Sequence, residues 1–540
     1  MSAIGTGPGE WPWAAHLEEP VDRDALVAQL GSGSLAREFA ATASSAGDGP
    51  ALTIGELTYT HRELDRRAAL LGGWLAGHGV RPGDLVLLAG RTSHEFVAAY
   101  LGTLRCGATA FPVDAGSTAA ELGALVDDAR PAAAFCDESA SSALATLPEA
   151  RRPGLVLALD SGAEGTGVEE AIEGGEPHEP AGADAPAIVA FTSGTTGAPK
   201  GVPLSHANVL ASIRAVMMAW GWERDEVLVH ALPLSHQHGL GGLHATLLAG
   251  SHAVLEARFE PEAFCERAGA VAATAVMAVP TIWERLDDWD GPARAALARL
   301  RIGISGSAPL PAALALRVRD WLGQLPLERY GSTEAGLNLS NPLRGERGPG
   351  SVGYPLPGIE VRILDGEGGD VVPGEDGELV VRGPQVFDGY LRRPRETEAA
   401  FTADGWFRTG DIARQDPADG SIAITGRGKD MIITGGLNVF PREVEAALEE
   451  HAAVSASAVV GVSSPRWGEE VVAFVVARAG ASPDPEELIA HCRERLSGFK
   501  CPKRVLVVDG LPTNEMGKVR RDELSRMAQQ GGADGAGIRS

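Results

Sequence analysis

The sequence predicts an α/β protein with a large N-terminal domain and a smaller α+β C-terminal domain. Short apolar strands at 84–89 and 108–113 alternate with longer helical segments such as 61–78, an order typical of parallel sheets. From Val361 to Val381 the pattern changes to short alternating strands with Gly, Pro and Asp turns, which indicates a small β-subdomain. A chain of 540 residues is long enough for about two to four domains.

The domain boundary is predicted directly after Arg427, which gives a large domain over residues 1–427 and a small domain over residues 428–540. A charged, glycine-flanked segment at 426–430 separates two strand-like runs there, and a hinge is expected in such a segment. The small domain is expected to contain two helices and three strands, at 441–450, 458–462, 470–476, 485–497 and 505–508.

Three other segments are expected to lie outside the folded elements. Residues 1–30 are predicted to be a partly ordered lead-in. Residues 161–186, rich in Gly, Glu, Ala and Pro, are predicted to be an acidic surface loop. Residues 531–540 are predicted to be a disordered tail.

Composition excludes some classes of protein. The 72 acidic and 47 basic residues leave a net charge of −25, which argues against a nucleic-acid partner. No apolar run is long enough to cross a membrane, and residues 1–20 lack the pattern of a signal peptide. The five cysteines have no metal-binding spacing and are expected to be reduced thiols of a cytoplasmic enzyme: Cys106, Cys136, Cys265, Cys492 and Cys501.

The run from Phe191 to Gly201, FTSGTTGAPKG, predicts a polyphosphate-binding loop. It combines four hydroxyls, three glycines and one lysine between a strand-like run and a more helical segment at 204–216. Glycine lets the backbone approach closely, hydroxyls and N–H groups donate, and lysine adds charge. Pro199 stands where a Walker A loop has glycine, and a flexible linker is the alternative. The expected nucleotide contacts are Thr192, Ser193, Gly194, Thr195, Thr196, Gly197 and Lys200.

A second motif, Arg329-Tyr330-Gly331-Ser332-Thr333-Glu334, places an aromatic ring, hydroxyls and a carboxylate on one short loop. A nucleotide needs a stacking surface, a phosphate donor and a Mg²⁺ ligand, and residues of these types supply them. A carboxylate also follows the turn at Thr409-Gly410, where Asp411 is suited to accept both ribose hydroxyls or to cap the turn.

These motifs, in this order from about Leu35 to Leu524, resemble the adenylate-forming superfamily, which includes acyl-CoA synthetases, carrier-protein-loading domains and luciferases. The resemblance implies that Tyr330 stacks on adenine, Thr333 binds phosphate and Glu334 holds Mg²⁺. It also implies that Asp411 binds the ribose and that Arg427 binds ribose or phosphate. The remaining nucleotide contacts it implies are Ser307, Ala308, Glu328 and Arg329.

The resemblance also implies the reaction. A carboxylate is a poor electrophile, and attack on the α-phosphate of ATP gives an acyl-adenylate whose AMP leaves readily. Catalysis is then positioning and charge stabilisation. Lys518, after Pro512-Thr513-x-x-x-Gly517, matches the family's catalytic lysine, and the catalytic set is Lys518, Glu334, Thr195 and His236. The small domain is expected to turn near Lys429 and Asp430 and bring Gly436 to the site, where it lines the tunnel for the CoA thiol.

The acid is less closely defined by the sequence. His236 falls on the family's acyl-pocket wall; a metal site with His238 is the alternative, although a third ligand is missing. Arg285 matches an arginine that malonyl-CoA synthetases use for the distal carboxylate, or it extends from its helix and pairs with Asp287 or Asp288. Ser332 replaces the methionine of that subgroup, which favours a larger or more polar pocket and also suits an aromatic acid.

The expected partners are a small carboxylic acid and CoA, with ATP and Mg²⁺. The cations Lys500, Lys503 and Arg504 are suited to the CoA phosphates or form a solvated face. Loading of a separate carrier protein and ATP-dependent diazotisation with nitrite are the alternatives. A non-enzymatic nucleotide binder would be expected to lose Lys518, Glu334 or Lys200, and all three are present.

Overall fold

The computed structural model of the protein describes residues 13–17, 19–160, 162–163, 165–192, 200–434, 437–464, 467–514 and 517–530. The first part alternates helices and strands: α1 (Arg23–Leu30), α2 (Leu35–Ala46), β1 (Pro50–Ile54), β2 (Leu57–Thr60), α3 (His61–Gly77), β3 (Leu85–Ala89), α4 (His94–Arg105), β4 (Thr109–Val113), α5 (Ala119–Ala129), β5 (Ala133–Cys136), α6 (Glu138–Ala145), β6 (Leu155–Ala158), β7 (Thr166–Gly167), α7 (Val168–Glu173) and β8 (Pro186–Thr192).

The alternation continues through the middle of the chain: β9 (Lys200–Ser205), α8 (His206–Trp220), β10 (Val227–His230), α9 (Gln237–Ala249), β11 (His252–Leu255), α10 (Pro261–Ala270), β12 (Ala275–Ala278), α11 (Pro280–Asp288), β13 (Ile302–Ser305), α12 (Ala312–Leu322), β14 (Leu327–Ser332), β15 (Gly336–Ser340) and β16 (Tyr354–Pro355).

The last part contains more antiparallel strands: β17 (Glu360–Leu364), β18 (Asp376–Arg382), α13 (Pro394–Ala399), β19 (Phe407–Gln415), β20 (Ile422–Arg427), β21 (Ile432–Thr434), β22 (Leu437–Val439), α14 (Pro441–Glu449), β23 (Val454–Ser464), β24 (Gly468–Ala477), α15 (Pro485–Arg493), β25 (Arg504–Val508) and α16 (Arg521–Gln530).

Within the described residues, these strands form two large sheets and two small ones. One large sheet has the order β7-β6-β5-β3-β4-β8-β9 and the other β16-β15-β14-β13-β12-β10-β11-β1-β2. Most neighbours are parallel, including β3 with β4 and β12 with β13. Strands of such sheets are buried on both faces, and accordingly every residue of β4 is buried.

Local sequence fixes where several helices begin. The Thr60 side chain accepts from the Glu63 N–H while Glu63 accepts from the Thr60 N–H, a capping box at the start of α3. Ser205 and Asn208 form the same arrangement before α8, which follows the predicted phosphate loop. Strand β9 of the hairpin that frames the predicted phosphate loop is therefore followed directly by α8, whose first residue is set by this cap.

The small C-terminal sheet has a core of its own. Its strands run β22-β21-β24-β23, and β25 pairs with β24. Val444, Leu448 and Val471 are among the residues buried inside it, separate from the main core. The predicted fold class, a large α/β domain with a smaller α+β domain, is confirmed. The boundary after Arg427, where β20 ends, stays a prediction.

The expectation of a partly ordered lead-in over residues 1–30 named no helix, whereas the described part of this segment contains α1. Trp13 is buried, and its indole N–H donates to the Ile359 carbonyl oxygen at 3.1 Å. Leu26 and Leu30 lie one turn apart on α1 and pack with Trp13 against Ala211 of α8. A single helical turn of apolar residues is too short a pattern to show in the sequence.

Two further expectations are corrected. Residues 161–186 contain β7 and α7, and Val168, Ala171 and Ile172 of α7 are buried, because the acidic flanks hide this short apolar pattern. The segment after the phosphate loop continues as strand β9, and α8 begins only at His206. The predicted disordered tail, residues 531–540, lies outside the described residues. No helix in the described part of the chain combines the length and apolar character needed to span a bilayer.

Candidate active site

The predicted site residues gather where strands of the two large sheets end. In the larger sheet, His230 ends β10, Ser305 ends β13 and Ser332 ends β14, and these strands belong to one run of parallel neighbours. The carboxyl ends of parallel strands meet at one edge of a sheet, and ligands of open α/β folds bind there.

The β8–β9 hairpin frames the predicted phosphate loop. Thr192 and Lys200 face each other as the last pair of this antiparallel ladder, so they bracket the loop. The loop's other predicted contacts, Ser193, Gly194, Thr195, Thr196 and Gly197, lie outside the described residues, and their contact with phosphate stays a prediction. The structure therefore describes the two ends of the loop, Thr192 and Lys200.

A chain of contacts joins Lys200 to Glu334 through Tyr390. The Lys200 ammonium nitrogen lies 4.8 Å from the centre of the Tyr390 ring. The Tyr390 hydroxyl donates to Glu334 Oε1 at 3.1 Å, and burial followed by the Glu334 charge raises the pKa of Tyr390. The phosphate-loop lysine and the predicted Mg²⁺ ligand thus belong to one cluster, and sequence reasoning assigned no role to Tyr390.

A second cluster forms the predicted ribose subsite. The Tyr330 hydroxyl donates to Asp411 Oδ2 at 2.6 Å, and Arg427 Nε lies 2.8 Å from Asp411 Oδ1. Asp411 and Arg427 face each other across β19 and β20. Burial, followed by the Asp411 charge, raises the pKa of Tyr330. Three residues from separate motifs thus meet, and the Asp411 carboxylate binds side chains rather than capping its turn.

Glu328 supports the loop expected at the adenine. Its buried carboxylate accepts the Leu310 N–H at 3.0 Å, which ties β14 to the turn after β13. Burial raises the pKa of Glu328 to about 7, and the hydrogen bond from Leu310 opposes that shift. In the same turn Ser307 has a φ of +71°, and its hydroxyl oxygen lies 3.1 Å from His238 Nδ1. Ala308 follows it and is half-buried.

Arg329 is a buried cation. Its side chain lies over the backbone of Gly306, where an added Cβ would overlap the guanidinium. Its Nε has no hydrogen-bond partner within the described structure, and burial lowers its pKa to about 10. His238, buried beside it, likewise has an Nε2 with no partner among the described residues. Buried charged groups are usually paired, so a buried cation with an unsatisfied N–H suits an anionic partner.

The predicted acyl-pocket residues occupy different environments. His236 precedes α9 and is half-buried, and burial lowers its pKa despite the nearby Asp114 carboxylate. Ser332 accepts the Ala335 N–H at 3.2 Å, and half-buried Thr333 follows it in the turn before β15.

Arg285 points to a more exposed region. Its guanidinium lies 4.7 Å from the Phe259 ring centre and 3.5 Å from Glu260 Oε2, and the side chain is 50% exposed. The suggested pairing of Arg285 with Asp287 is wrong, because Asp287 binds Arg317 at 2.7 Å instead. Its contact with a distal carboxylate stays a prediction.

The small domain presents its predicted lysine to the large domain. Gly517, directly before Lys518, approaches the Thr281 side chain of α11 so closely that a Cβ on the glycine would lie 2.8 Å from Thr281 Cγ2. Lys518 itself is exposed, and its N–H donates to Asn514 Oδ1 at 2.9 Å. Gly436, which is predicted to line the tunnel for the CoA thiol, lies outside the described residues.

The residues present suit a magnesium ion held mainly by phosphate. Mg²⁺ in nucleotide sites usually takes one or two carboxylates and completes its shell with phosphate and water. Glu334 supplies one half-buried carboxylate beside Lys200 and Tyr390. No group of three His, Cys, Asp or Glu suited to a metal occurs in the described parts of the chain. Bound there with ATP, Mg²⁺ would offset phosphate charge.

Two α/β sheets, the hairpin that frames the predicted phosphate loop, the paired Asp411 carboxylate and a lysine on a small second domain are the arrangement of an adenylate-forming enzyme. The sequence profile of the AMP-binding enzyme family matches residues 39–391, and that of the AMP-binding enzyme C-terminal domain matches residues 443–518. The chain belongs to this family, which confirms the resemblance read from the sequence.

Individual relatives cover nearly the whole chain. The malonate–CoA ligase ACSF3, mitochondrial, of Mus musculus is 35% identical over 519 residues, 88% of each chain. A feruloyl-CoA synthase of an Amycolatopsis species is 36% identical over 482 residues, 88% of this chain and 95% of the other. The ATP-bound structure of MatB from Rhodopseudomonas palustris superposes with a TM-score of 0.85 at 35% identity, covering 92% of this chain and 99% of that one.

Proposed function

We propose that this protein activates a small dicarboxylic acid of the malonate type and joins it to CoA. The reaction is that of an AMP-forming acyl-CoA ligase, with ATP, Mg²⁺ and CoA. The diacid is proposed from Arg329, which the family resemblance placed among the nucleotide contacts instead. Its buried guanidinium has no carboxylate partner among the described residues, and a second substrate carboxylate would stabilise it.

In the first half-reaction, a carboxylate oxygen of the acid attacks the α-phosphorus of ATP. The bond from that phosphorus to the bridging oxygen breaks, and pyrophosphate leaves with both bonding electrons. No protein nucleophile takes part, so the side chains act by position and charge. Lys518 bridges the substrate carboxylate and the α-phosphate, and Lys200 with the phosphate loop holds the departing pyrophosphate.

In the second half-reaction, the CoA sulfur attacks the acyl carbon and the bond from that carbon to the AMP oxygen breaks. The thiol proton goes to solvent and AMP leaves. The small domain turns near Lys429 and Asp430 between the two steps, withdraws Lys518 and brings Gly436 to the site. The contact of Gly517 with Thr281 is the arrangement expected for the first half-reaction, since it places the Lys518 turn on the large domain.

The relatives support both the reaction and the class of acid. ACSF3 is named a malonate–CoA ligase, whereas the Amycolatopsis protein is named a feruloyl-CoA synthase. Ser332, small and half-buried, leaves room for an aromatic acid as well, but an aromatic monoacid would leave the Arg329 cation unpaired. The diacid is therefore the better fit.

The test is ATP–pyrophosphate exchange with malonate, ferulate and nitrite, followed by thioester formation with CoA. We expect exchange with malonate and malonyl-CoA as product. Arg329→Met should reduce malonate exchange about a hundredfold and affect ferulate far less. Arg285→Met tests the other candidate for the distal carboxylate, and a smaller loss, of less than about fivefold, is expected because this side chain is half exposed.

Other outcomes point to the alternatives. Exchange with ferulate alone would overturn the diacid, nitrite dependence would indicate diazotisation, and exchange without thioester formation on CoA would favour a separate carrier protein. Exchange with no acid would indicate a nucleotide binder. Equal effects of the two arginine substitutions would show that Arg329 does not bind the distal carboxylate.

We also propose a cytoplasmic location. The five cysteines are free thiols and all are buried, as in proteins of reducing compartments. The animal relatives are named mitochondrial, which is a second reducing compartment. Fractionation of the native cells tests this proposal, and recovery outside the cytoplasm would overturn it.

A further inference from the structure

One close contact joins the turn that carries Lys518 to the large domain. Gly517 has a φ of +70°, and a Cβ built on it would lie 2.8 Å from Thr281 Cγ2 and 2.9 Å from Thr281 Oγ1. Real Cβ atoms essentially never approach a neighbour below 3.0 Å. Thr281 is the second residue of α11, an element of the large domain. The backbone of the turn therefore packs directly on the Thr281 side chain.

The turn behaves as one unit, so its position at Gly517 determines where Lys518 lies. The Gly517 N–H donates to the Asn514 carbonyl oxygen at 2.9 Å, and the Asn514 N–H donates to the Lys518 carbonyl oxygen at 2.9 Å. The Lys518 N–H also donates to Asn514 Oδ1. Thr513 and Val519, on either side of the turn, pair as an isolated antiparallel β-bridge. A displacement of Gly517 would therefore move Lys518 by a similar amount.

We propose that Thr281 is a positioning residue for adenylation, the surface on which the Lys518 turn docks. Its hydroxyl and methyl groups fit the bare backbone of Gly517, and any side chain at 517 would lift the turn from α11. The inference rests on the proposed two-step function. It deepens that function by assigning the docking contact to Thr281, a residue with no expected contact to substrate or nucleotide.

The test uses the full-length protein and a double-variant cycle. Gly517→Ala introduces the clash, Thr281→Ala removes the two atoms that a Cβ would meet, and the double variant carries both changes. Thr281 Cβ would then be the nearest atom, at 3.4 Å, which is an ordinary contact distance. Gly480→Ala is the matched control for backbone strain, because Gly480 has a φ of +78° with open space around its Cβ position.

ATP–pyrophosphate exchange with malonate measures the first half-reaction, and thiolysis of freshly prepared malonyl-AMP by CoA measures the second. A displacement of about 1 Å typically costs about a hundredfold in rate, and this loss is expected of Gly517→Ala in exchange. Thiolysis should stay within about twofold of wild type, since the lysine turn is withdrawn in that step. The double variant should exchange as Thr281→Ala alone does, within about twofold.

Two results would overturn the proposal. If the double variant exchanges no better than Gly517→Ala, strain rather than the Thr281 contact causes the loss. If Gly517→Ala lowers exchange and thiolysis equally, the turn does not act selectively in adenylation. Failure of the proposed function looks different, because the wild-type protein itself would then show no exchange with malonate.

Discussion

The Tyr390 hydroxyl donates a 3.1 Å hydrogen bond to the Glu334 carboxylate, while the Lys200 ammonium lies 4.8 Å from the centre of the same tyrosine ring. Tyr390 thus contacts both the cation at the end of the phosphate loop and the carboxylate expected to hold Mg²⁺. One side chain therefore contacts two groups that are predicted to act on the same triphosphate.

Tyr390→Phe should test this arrangement, because it removes the hydrogen bond and keeps the ring. A net contribution of about 1 to 1.4 kcal/mol predicts a fall in ATP–pyrophosphate exchange of about fivefold to tenfold. The Mg²⁺ concentration required for half-maximal exchange should rise, because Glu334 is no longer oriented.

Tyr59→Phe is the control, since Arg67 lies 4.6 Å from the centre of the Tyr59 ring in a similar cation–ring pair outside the site. An equal loss in the two variants, or an unchanged Mg²⁺ requirement in Tyr390→Phe, would contradict a role for Tyr390 in orienting Glu334.

Asp411→Asn should weaken ATP binding. The buried carboxylate accepts from Tyr330 and pairs with Arg427, and asparagine keeps its shape but not its charge. We expect the KM for ATP to rise about tenfold to a hundredfold with a smaller change in kcat. Steady-state kinetics at saturating malonate measure this, and Asp416→Asn, in the turn directly after β19, is the control. A change confined to kcat would argue against ribose binding by Asp411.

Lys518→Ala should separate the two half-reactions. Loss of one electrostatic contact to the transition state typically costs about two to three powers of ten in rate, so exchange should fall by that factor. Turnover of supplied malonyl-AMP with CoA should continue. Arg526→Ala removes an exposed cation of α16 and should leave both rates unchanged. Equal loss of both half-reactions in Lys518→Ala would reject the two-state description.

The sequence was sufficient for the fold class and for the family because both rest on local patterns and on their order along the chain. Asp411 and Arg427 lie in separate motifs; the turn before Asp411 suggested a ribose contact, and the family resemblance implied one for Arg427. Their pairing was not predictable, because it depends on the register of β19 against β20. The contacts of Tyr390 with Lys200 and Glu334 were not predictable either, because both partners lie at least 56 residues away in the chain.

The acyl pocket shows where sequence reasoning reaches its limit. Arg285 and Arg329 are both arginines next to site motifs, and only burial separates them. Arg285 finds Glu260 near the surface, whereas Arg329 is covered by the turn at Gly306. Helix α1 was missed for a related reason: its apolar positions contact Trp13 and Ala211, and such tertiary contacts leave no periodicity in a short segment.

Buried histidines should make the large domain sensitive to acid. His206 is buried, and its Nδ1 accepts the Leu35 N–H at 3.1 Å. Burial lowers the pKa of His206 to about 4, against an ordinary value of 6.5. Between those two pH values the unfolded chain binds a proton that the folded chain does not, so the free energy of unfolding decreases as the pH falls from 6.5 towards 4. Well above pH 6.5, where the histidine is neutral in both states, His206 contributes no pH dependence.

Each pH unit in that window costs about 1.4 kcal/mol for one such residue, so His206 should account for about 2 kcal/mol of the stability lost between pH 7.5 and pH 5. His206→Asn retains an acceptor near the position of Nδ1 but cannot take up the proton. The difference in unfolding free energy between the two pH values, measured by urea denaturation, should therefore be about 2 kcal/mol smaller in this variant. Exposed His78→Asn should keep the wild-type difference. An unchanged pH difference in His206→Asn would mean that the acid sensitivity arises elsewhere.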